Sequence, residues 1–511
     1  MFKKSTTNRQ IDFLGNVASN LDATRAETFN DPEAWYNQFY EHVFCRFDES
    51  CFEVLFSSTM GRTNAPIRLL LSMMSLKEGF GWSDRQLYEQ IGFNLLVRRA
   101  LGFENLGDAP PVPSTYYGFK RAIYQYHIEH SRDLVEETFK GLTKSQAEFF
   151  DVDGKKIRMD SKLIGSNIVR CSRLQLIISC LQEFWKSLSD ELQIRLDDDR
   201  RKTLDELCKK KPNQIVYPLS EDEKNKKLIE LGELLLHLKR HYDDSDSDKF
   251  PLVERLLDEQ YQVEGDQTKL KPGKEISADS IQSPHDPDAA YRKKSKQTVN
   301  GYSINVTETC NDKGLNLILD VQTEKATQAD TEFVKPALEN AIDIIGPVEQ
   351  AYMDGAYQSP DNVEYGETKE IDIVFTGIQG AKGNFEFVKT DDSLLVLDKS
   401  SDTVIEAVEY KDDHYKIKLP SGQWRYFKPE QIECFERRKA LENLPPEVRN
   451  RRNNVEATIF QLSYHSRNNK TRYRGQIKNK VWATCRSAWI NLIRIRNYVK
   501  KTAGEVNPAT T

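Results

Sequence analysis

Gln350-Ala351-Tyr352-Met353-Asp354-Gly355-Ala356-Tyr357 is a short apolar run that ends in a carboxylate and breaks at a glycine. The pattern predicts a buried strand with Asp354 at its C-terminal tip, where open α/β sheets present their ligands. Two further acids have comparable settings. Asp160 follows the strand-like Lys156-Ile157-Arg158-Met159, and Glu456 lies in a helix-like stretch crowded with arginine and lysine. The three are expected to meet around divalent metal.

Working outward, residues 331–345 predict a helix leading into the Asp354 strand. Before it, 302–307 and 315–321 predict a hairpin across Asn311-Asp312-Lys313-Gly314, and 371–376 predict the next buried strand. Asp153-Gly154, between 149–152 and 156–159, predicts another hairpin. The order is that of a mixed α/β sheet, built from 146–170 and 281–383. Leu174, Ile177, Ile178, Leu181 and Phe184, then Leu228, Leu231, Leu235 and Leu238, repeat at helical spacing and predict a helical insertion over 171–280. Short strands at even spacing predict a small antiparallel β insertion over 384–433.

Residues 1–145 read as all-helical. Ile67, Leu70, Leu71 and Met74, then Leu87, Ile91, Leu95 and Leu96, carry the periodicity. Ser83-Asp84-Arg85-Gln86 has the form of a capping box, and Ser114 opens a further helix after Pro110-Pro111-Val112-Pro113. With Arg98, Arg99, Lys120 and Arg121 aboard, these helices suit either a DNA-binding helix-turn-helix or a bundle for packing and dimerisation. Residues 434–511 hold the Glu456 helix and basic helices beyond it.

A chain of 511 residues implies two to four domains. No apolar run reaches the ~18 residues of a membrane span. Met1 to Thr7 lacks an apolar signal segment. Eight scattered cysteines without a Cys-x-x-Cys pair point to reduced thiols and a cytoplasmic setting. The net charge of −6 conceals an asymmetry: between Arg449 and Lys501 stand fourteen Lys/Arg and one acid, Glu456. A basic segment on an acidic chain suggests a local polyanion contact. Arg452, Arg467, Lys470, Arg472, Arg474 and Lys478 are its candidate DNA-binding residues.

The succession of Asp160 in Arg158-Met159-Asp160-Ser161, Asp354 in Met353-Asp354-Gly355-Ala356-Tyr357 and Glu456 in Arg452-Asn453-Asn454-Val455-Glu456 resembles the DDE transposases of bacterial insertion sequences. The resemblance spans roughly residues 66–500. It implies an RNase H-like catalytic domain, shared with retroviral integrases, and a catalytic triad of Asp160, Asp354 and Glu456. It also implies Mg²⁺, replaceable by Mn²⁺, bound as two ions, since hard oxygen ligands suit such ions in phosphoryl transfer. The implied partner is double-stranded DNA, as terminal inverted repeats and as target, held by a homodimer on paired ends in a bacterial, nucleoid-associated setting. Arg452 corresponds to an Arg that often precedes the family's Glu by four residues. Two departures stand out. Arg449 replaces a frequent Tyr, and Ser463 replaces a frequent Lys seven residues after the Glu, leaving Arg467, Lys470 or Arg472 to supply that cation. The spacings, 194 residues from Asp160 to Asp354 and 102 from Asp354 to Glu456, are long, in keeping with the two insertions.

Among other acids, Asp320 also follows a strand and competes with Asp160 as a ligand. Asp330 reads as a helix N-cap. The alternative function is a catalytically inactive or domesticated DNA-binding protein or regulator.

Overall fold

The computed structural model describes residues 1–5, 15–57, 61–294, 297–377, 383–390, 393–411, 414–443 and 445–506. The N-terminal region is helical: α1 (Ala23–Asn30), α2 (Trp35–Phe39), α3 (Ile67–Phe80), α4 (Asp84–Phe93), α5 (Leu95–Ala100), α6 (Pro113–His130) and α7 (Leu134–Phe149). The capping box forms at α4. The Ser83 hydroxyl accepts from the Gln86 amide, and the Gln86 side chain accepts from the Ser83 amide. Of the four cations on these helices, Arg98 and Arg99 make internal bonds, and Arg121 is exposed. Arg98 is buried and donates to the carbonyls of Ile91, Asn105, Leu106 and Asp108, and Arg99 donates to Asn37. Arg98 holds the turn after α5 together by satisfying its backbone acceptors, and Arg99 ties α5 to α2.

The expected hairpin before Asp160 does not form. α7 continues through Phe149, whose ring packs with Phe150 and His42. Asp151 then takes a left-handed φ of 48°, and the Val152 amide closes the helix on the Ala147 carbonyl. The aromatic pair is the end of an amphipathic helix, not a strand. The chain turns directly into β1 (Lys156–Gly165).

Residues 173–260 supply α8 (Arg173–Ser187), α9 (Asp190–Ile194), α10 (Asp198–Lys209), α11 (Pro212–Val216), α12 (Glu221–His241) and α13 (Phe250–Gln260). A hairpin of β2 (Tyr261–Glu264) and β3 (Gln267–Leu270) follows. These elements enclose their own apolar cluster around Ile177, Leu181, Phe184, Leu235 and Leu256.

The main sheet adds β4 (Ala290–Lys294), β5 (Gln297–Thr309), β6 (Ile318–Lys325), β7 (Gln350–Met353) and β8 (Asp372–Phe375) to β1. α14 (Val334–Ile345) precedes β7, and α15 (Pro360–Thr368) precedes β8. β5 pairs antiparallel with β1 on one side and with β4 and β6 on the other, whereas β1, β7 and β8 run parallel. A second, five-stranded antiparallel sheet comprises β9 (Phe385–Lys389), β10 (Leu394–Asp398), β11 (Thr403–Tyr410), β12 (His414–Lys418) and β13 (Trp424–Phe427). The chain ends in α16 (Pro429–Glu442), α17 (Pro446–Asn450), α18 (Asn453–Leu462) and α19 (Gln476–Val506). No described helix is long and apolar enough to cross a membrane.

α19 is the spine of the molecule. Val481, Trp482, Cys485, Ala488 and Leu492 join α3, α6, α7 and one sheet face in a continuous core, which therefore runs across residues 145 and 146. Trp489 lies so close to α3 that a Cβ on Gly79 would sit 2.4 Å from its ring. The buried Arg486 donates to the carbonyls of Glu78 and Gly79, at the end of α3, and of Gln461 and Leu462, at the end of α18. One guanidinium thus satisfies the unpaired terminal carbonyls of two helices.

Beneath α18 lies a buried ion cluster. Glu308 on β5 is fully buried. It accepts from Arg158 of β1 at 2.6 Å, Thr458 of α18 at 2.7 Å and Arg494 of α19 at 2.8 Å. Removing one member of such a group leaves uncompensated buried charge. Glu308→Ala is therefore expected to cost about 3–5 kcal/mol, lowering the midpoint of urea unfolding followed by tryptophan fluorescence. An unchanged midpoint would show that the cluster does not hold α18.

Candidate active site

The register of the parallel pair places two acids side by side. Arg158 of β1 lies opposite Tyr352 of β7. Asp160 is two residues beyond the first and Asp354 two residues beyond the second, so they come level on neighbouring strands. Such strands are spaced about 4.8 Å apart. Asp160 sits inside β1, opposite Val306 of β5, and its Oδ1 accepts from the Ser161 amide at 2.9 Å. Asp354 stands just past β7, accepts from the Gly355 amide at 2.7 Å, and rests against Gly377 beyond β8.

Glu456 arrives from α18. Arg451 and Arg158 fix the start of that helix. Arg158 donates to the Arg451 carbonyl at 3.0 Å, and Arg451 donates to the Tyr352 hydroxyl at 2.8 Å. Arg452 then spans two of the acids, 3.1 Å from Asp160 Oδ2 and 2.8 Å from Glu456 Oε1. Asp160 is pushed up to about 6 by burial, against the pull of Arg452, and the charges of Asp354 and Glu456 raise it further. Asp160 therefore feels both of the other acids. Among the described residues, no three Asp, Glu, His or Cys side chains stand close enough to form a ready-made metal cage. Arg452 occupies the space between two of them. The donor types nevertheless suit a hard divalent cation: Asp160 lies within the field of Asp354 and Glu456, and Arg452 bonds Asp160 and Glu456.

Sequence reasoning missed Lys162. It lies two residues from Asp160 on β1, hence on the same face. Its ammonium donates to Ser463 Oγ at 2.7 Å. A cation from β1 therefore reaches the α18 position that holds serine, and burial lowers its pKa. The period-two alternation from Asp160 could have flagged it. Asp330 is also redefined: it does not cap its short helix but accepts from Ser161 Oγ at 2.7 Å, on the sheet face that alternates with that of Asp160. Tyr357 is buried and donates to Asn305 Oδ1 at 2.7 Å, within the field of Asp160.

The loop before α19 lies along the end of β1, with the Gly165 amide on the Asn469 carbonyl and the Thr471 amide on the Gly165 carbonyl. This brings the basic segment beside the Asp160 strand. Arg467, Lys470, Arg472, Arg474 and Lys478 are exposed. Several also serve as ties: Lys470 to the Ile168 carbonyl, Arg472 to the Gly81 and Trp82 carbonyls, Arg474 to the Asn167 carbonyl, and Lys478 over the Tyr124 ring. Other charges of the segment are spent inside, as in Lys480 on Glu136 and Asp133.

Residues 27–122 match the family model described as a transposase domain, DUF772. The match covers the N-terminal helices and stops before Asp160. It supports a transposase role for the chain. No curated protein and no solved structure matches the chain.

Asp320 does not join the group. It lies opposite Thr307, which lies opposite Met159, so it faces the other side of the sheet from Asp160. There it accepts from Gln322 at 2.9 Å and Asn340 at 3.0 Å. Burial pushes it from 3.8 up to about 6, with Glu136 adding to the rise. The folded state thus holds a proton that the unfolded chain releases, so this group's contribution to stability is fully present below pH 3.8 and is lost as pH rises through about 6. Unfolding midpoints measured between these values should fall less steeply for Asp320→Asn than for the parent. The difference approaches one proton, ~1.4 kcal/mol per pH unit. Parallel curves would assign the pH dependence elsewhere.

Proposed function

We propose that the chain is a DDE transposase of the insertion-sequence type, which cleaves DNA at transposon ends and joins them to a target. The observation that carries this reading is the placement of Asp160 on β1 beside Asp354 at the tip of the adjacent parallel strand β7, with Glu456 linked to Asp160 through Arg452. The sheet order β6–β5–β1–β7–β8, antiparallel in its first three strands and parallel in its last three, supports an RNase H-like core. Residues 173–270 and the β9–β13 sheet are then insertions within that core. The transposase-domain match supports DNA as the substrate.

Asp160, Asp354 and Glu456 would hold Mg²⁺, with Mn²⁺ able to substitute, in a two-ion arrangement. Ions so held activate an attacking oxygen and stabilise a departing one at phosphorus. The chain's own residues do the rest. Arg452 orients Asp160 and Glu456 and brings positive charge to the scissile phosphate. Lys162 adds a second cation on the same strand face. In the first step water forms the new P–O bond as the bond to the 3′ oxygen breaks, and that oxygen leaves with a proton as the 3′-hydroxyl. In the second step this 3′-hydroxyl attacks a target phosphodiester in the same way. Arg467, Lys470, Arg472, Arg474 and Lys478 grip the phosphates of duplex DNA, and a homodimer pairs two ends.

Purified protein with a supercoiled plasmid carrying the flanking DNA tests this. Cleavage should require Mg²⁺ or Mn²⁺ and cease with a chelator. Asp160→Asn, Asp354→Asn and Glu456→Gln should each abolish it without changing the circular dichroism. Lys162→Gln should lower the rate about 10²–10³-fold, the usual cost of losing one charge-stabilising group. Metal-independent DNA binding without cleavage by the parent would identify a DNA-binding regulator instead.

A further inference from the structure

The face of α18 opposite the candidate active site borders a groove of about 870 Å³. Arg452 and Glu456 occupy one side of the helix, and Asn454, Thr458 and Gln461 the other. The remaining wall comes from the 313–316 loop and the C-terminal part of α19. Its described lining includes Arg158, Lys313, Arg494 and Lys501 and no carboxylate, although the chain as a whole carries −6. The floor is the buried ion cluster. There two guanidinia, Arg158 and Arg494, share one carboxylate, Glu308, which leaves one positive charge uncompensated beneath the groove. Lys313 and Lys501 stand exposed at the rim, with Asn454 and Asn497 as exposed amides.

Buried positive charge below, exposed ammonium groups at the rim and neutral amides between suit a chain of phosphodiesters. A lone phosphate would fill only a small part of the space. We infer that this groove holds the backbone of a DNA strand passing the candidate active site, across α18 from the acids. The inference rests on the transposase reading and adds a DNA path separate from the loop at 467–474.

The test compares Lys313→Glu/Asn497→Asp with Asn225→Asp/Lys226→Glu, an equal charge change at exposed positions of α12. Fluorescence anisotropy with labelled duplex and single-stranded oligonucleotides, over a salt series, gives affinity and salt slope. The groove variant should bind about tenfold more weakly, with a slope shallower by about one to two, and the α12 variant should match the parent. Equal loss in both variants, or no loss in the groove variant, would overturn the groove. Inorganic phosphate at about 10 mM should act only through ionic strength. Displacement specific to the parent would mark a free-phosphate site and overturn the strand assignment. A parent that binds no DNA would remove the transposase reading as well, whereas a parent that cleaves DNA beside an unaffected groove variant removes the groove alone.

Discussion

Glu308 between Arg158 and Arg494 is the constraint on which the rest of the molecule depends. Backbone pairing alone sets Asp160 beside Asp354. Glu456 has no such guarantee, because it lies on a helix more than a hundred residues further along the chain. That helix is docked by buried charge. The Glu308 cluster holds its middle through Thr458, the Arg451 backbone and side chain hold its start, and Arg486 and Lys162 hold its end. Buried charges are tolerated only when paired and hydrogen-bonded, so each tie specifies a position as well as contributing stability.

Burying Asp160 as a carboxylate opposes stability. Asp160 is raised to about 6 because burial outweighs the attraction of Arg452, and its acidic neighbours act in the same direction. A fold selected for stability alone would not keep three carboxylates in one field. Violations of this kind are expected where a protein binds or reacts. Arg452 bonds both Asp160 and Glu456 and so relieves part of that cost.

Much of the framework was legible from residue order. The run ending in Asp354, the 302–321 hairpin and the helix over 331–345 follow from periodicity and turn chemistry, and all three occur, the helix beginning at Val334. The arm at 149–152 was misread because two adjacent phenylalanines fit a strand or a helix end equally well. The positive charges were harder. Arg98 and the segment after Arg449 look alike as sequence, but the carbonyls that occupy Arg98 and Arg486 appear only once the chain is folded. Glu308 was invisible for a related reason: its partner Arg158 lies 150 residues away, and no local pattern announces a buried charge network. Lys162 shares a strand face with Asp160, but its partner Ser463 lies 301 residues away.

α19 bears on how the protein comes into being. The aromatic and aliphatic faces of α3, α6 and α7 close on side chains that follow residue 476. During synthesis these early helices must wait, with apolar surface unsatisfied, until residues 476–506 have been made. A truncated product lacking α19 would have no complete core. Assembly of the acidic cluster is thereby coupled to translation through α19, so a partial chain cannot present a finished site.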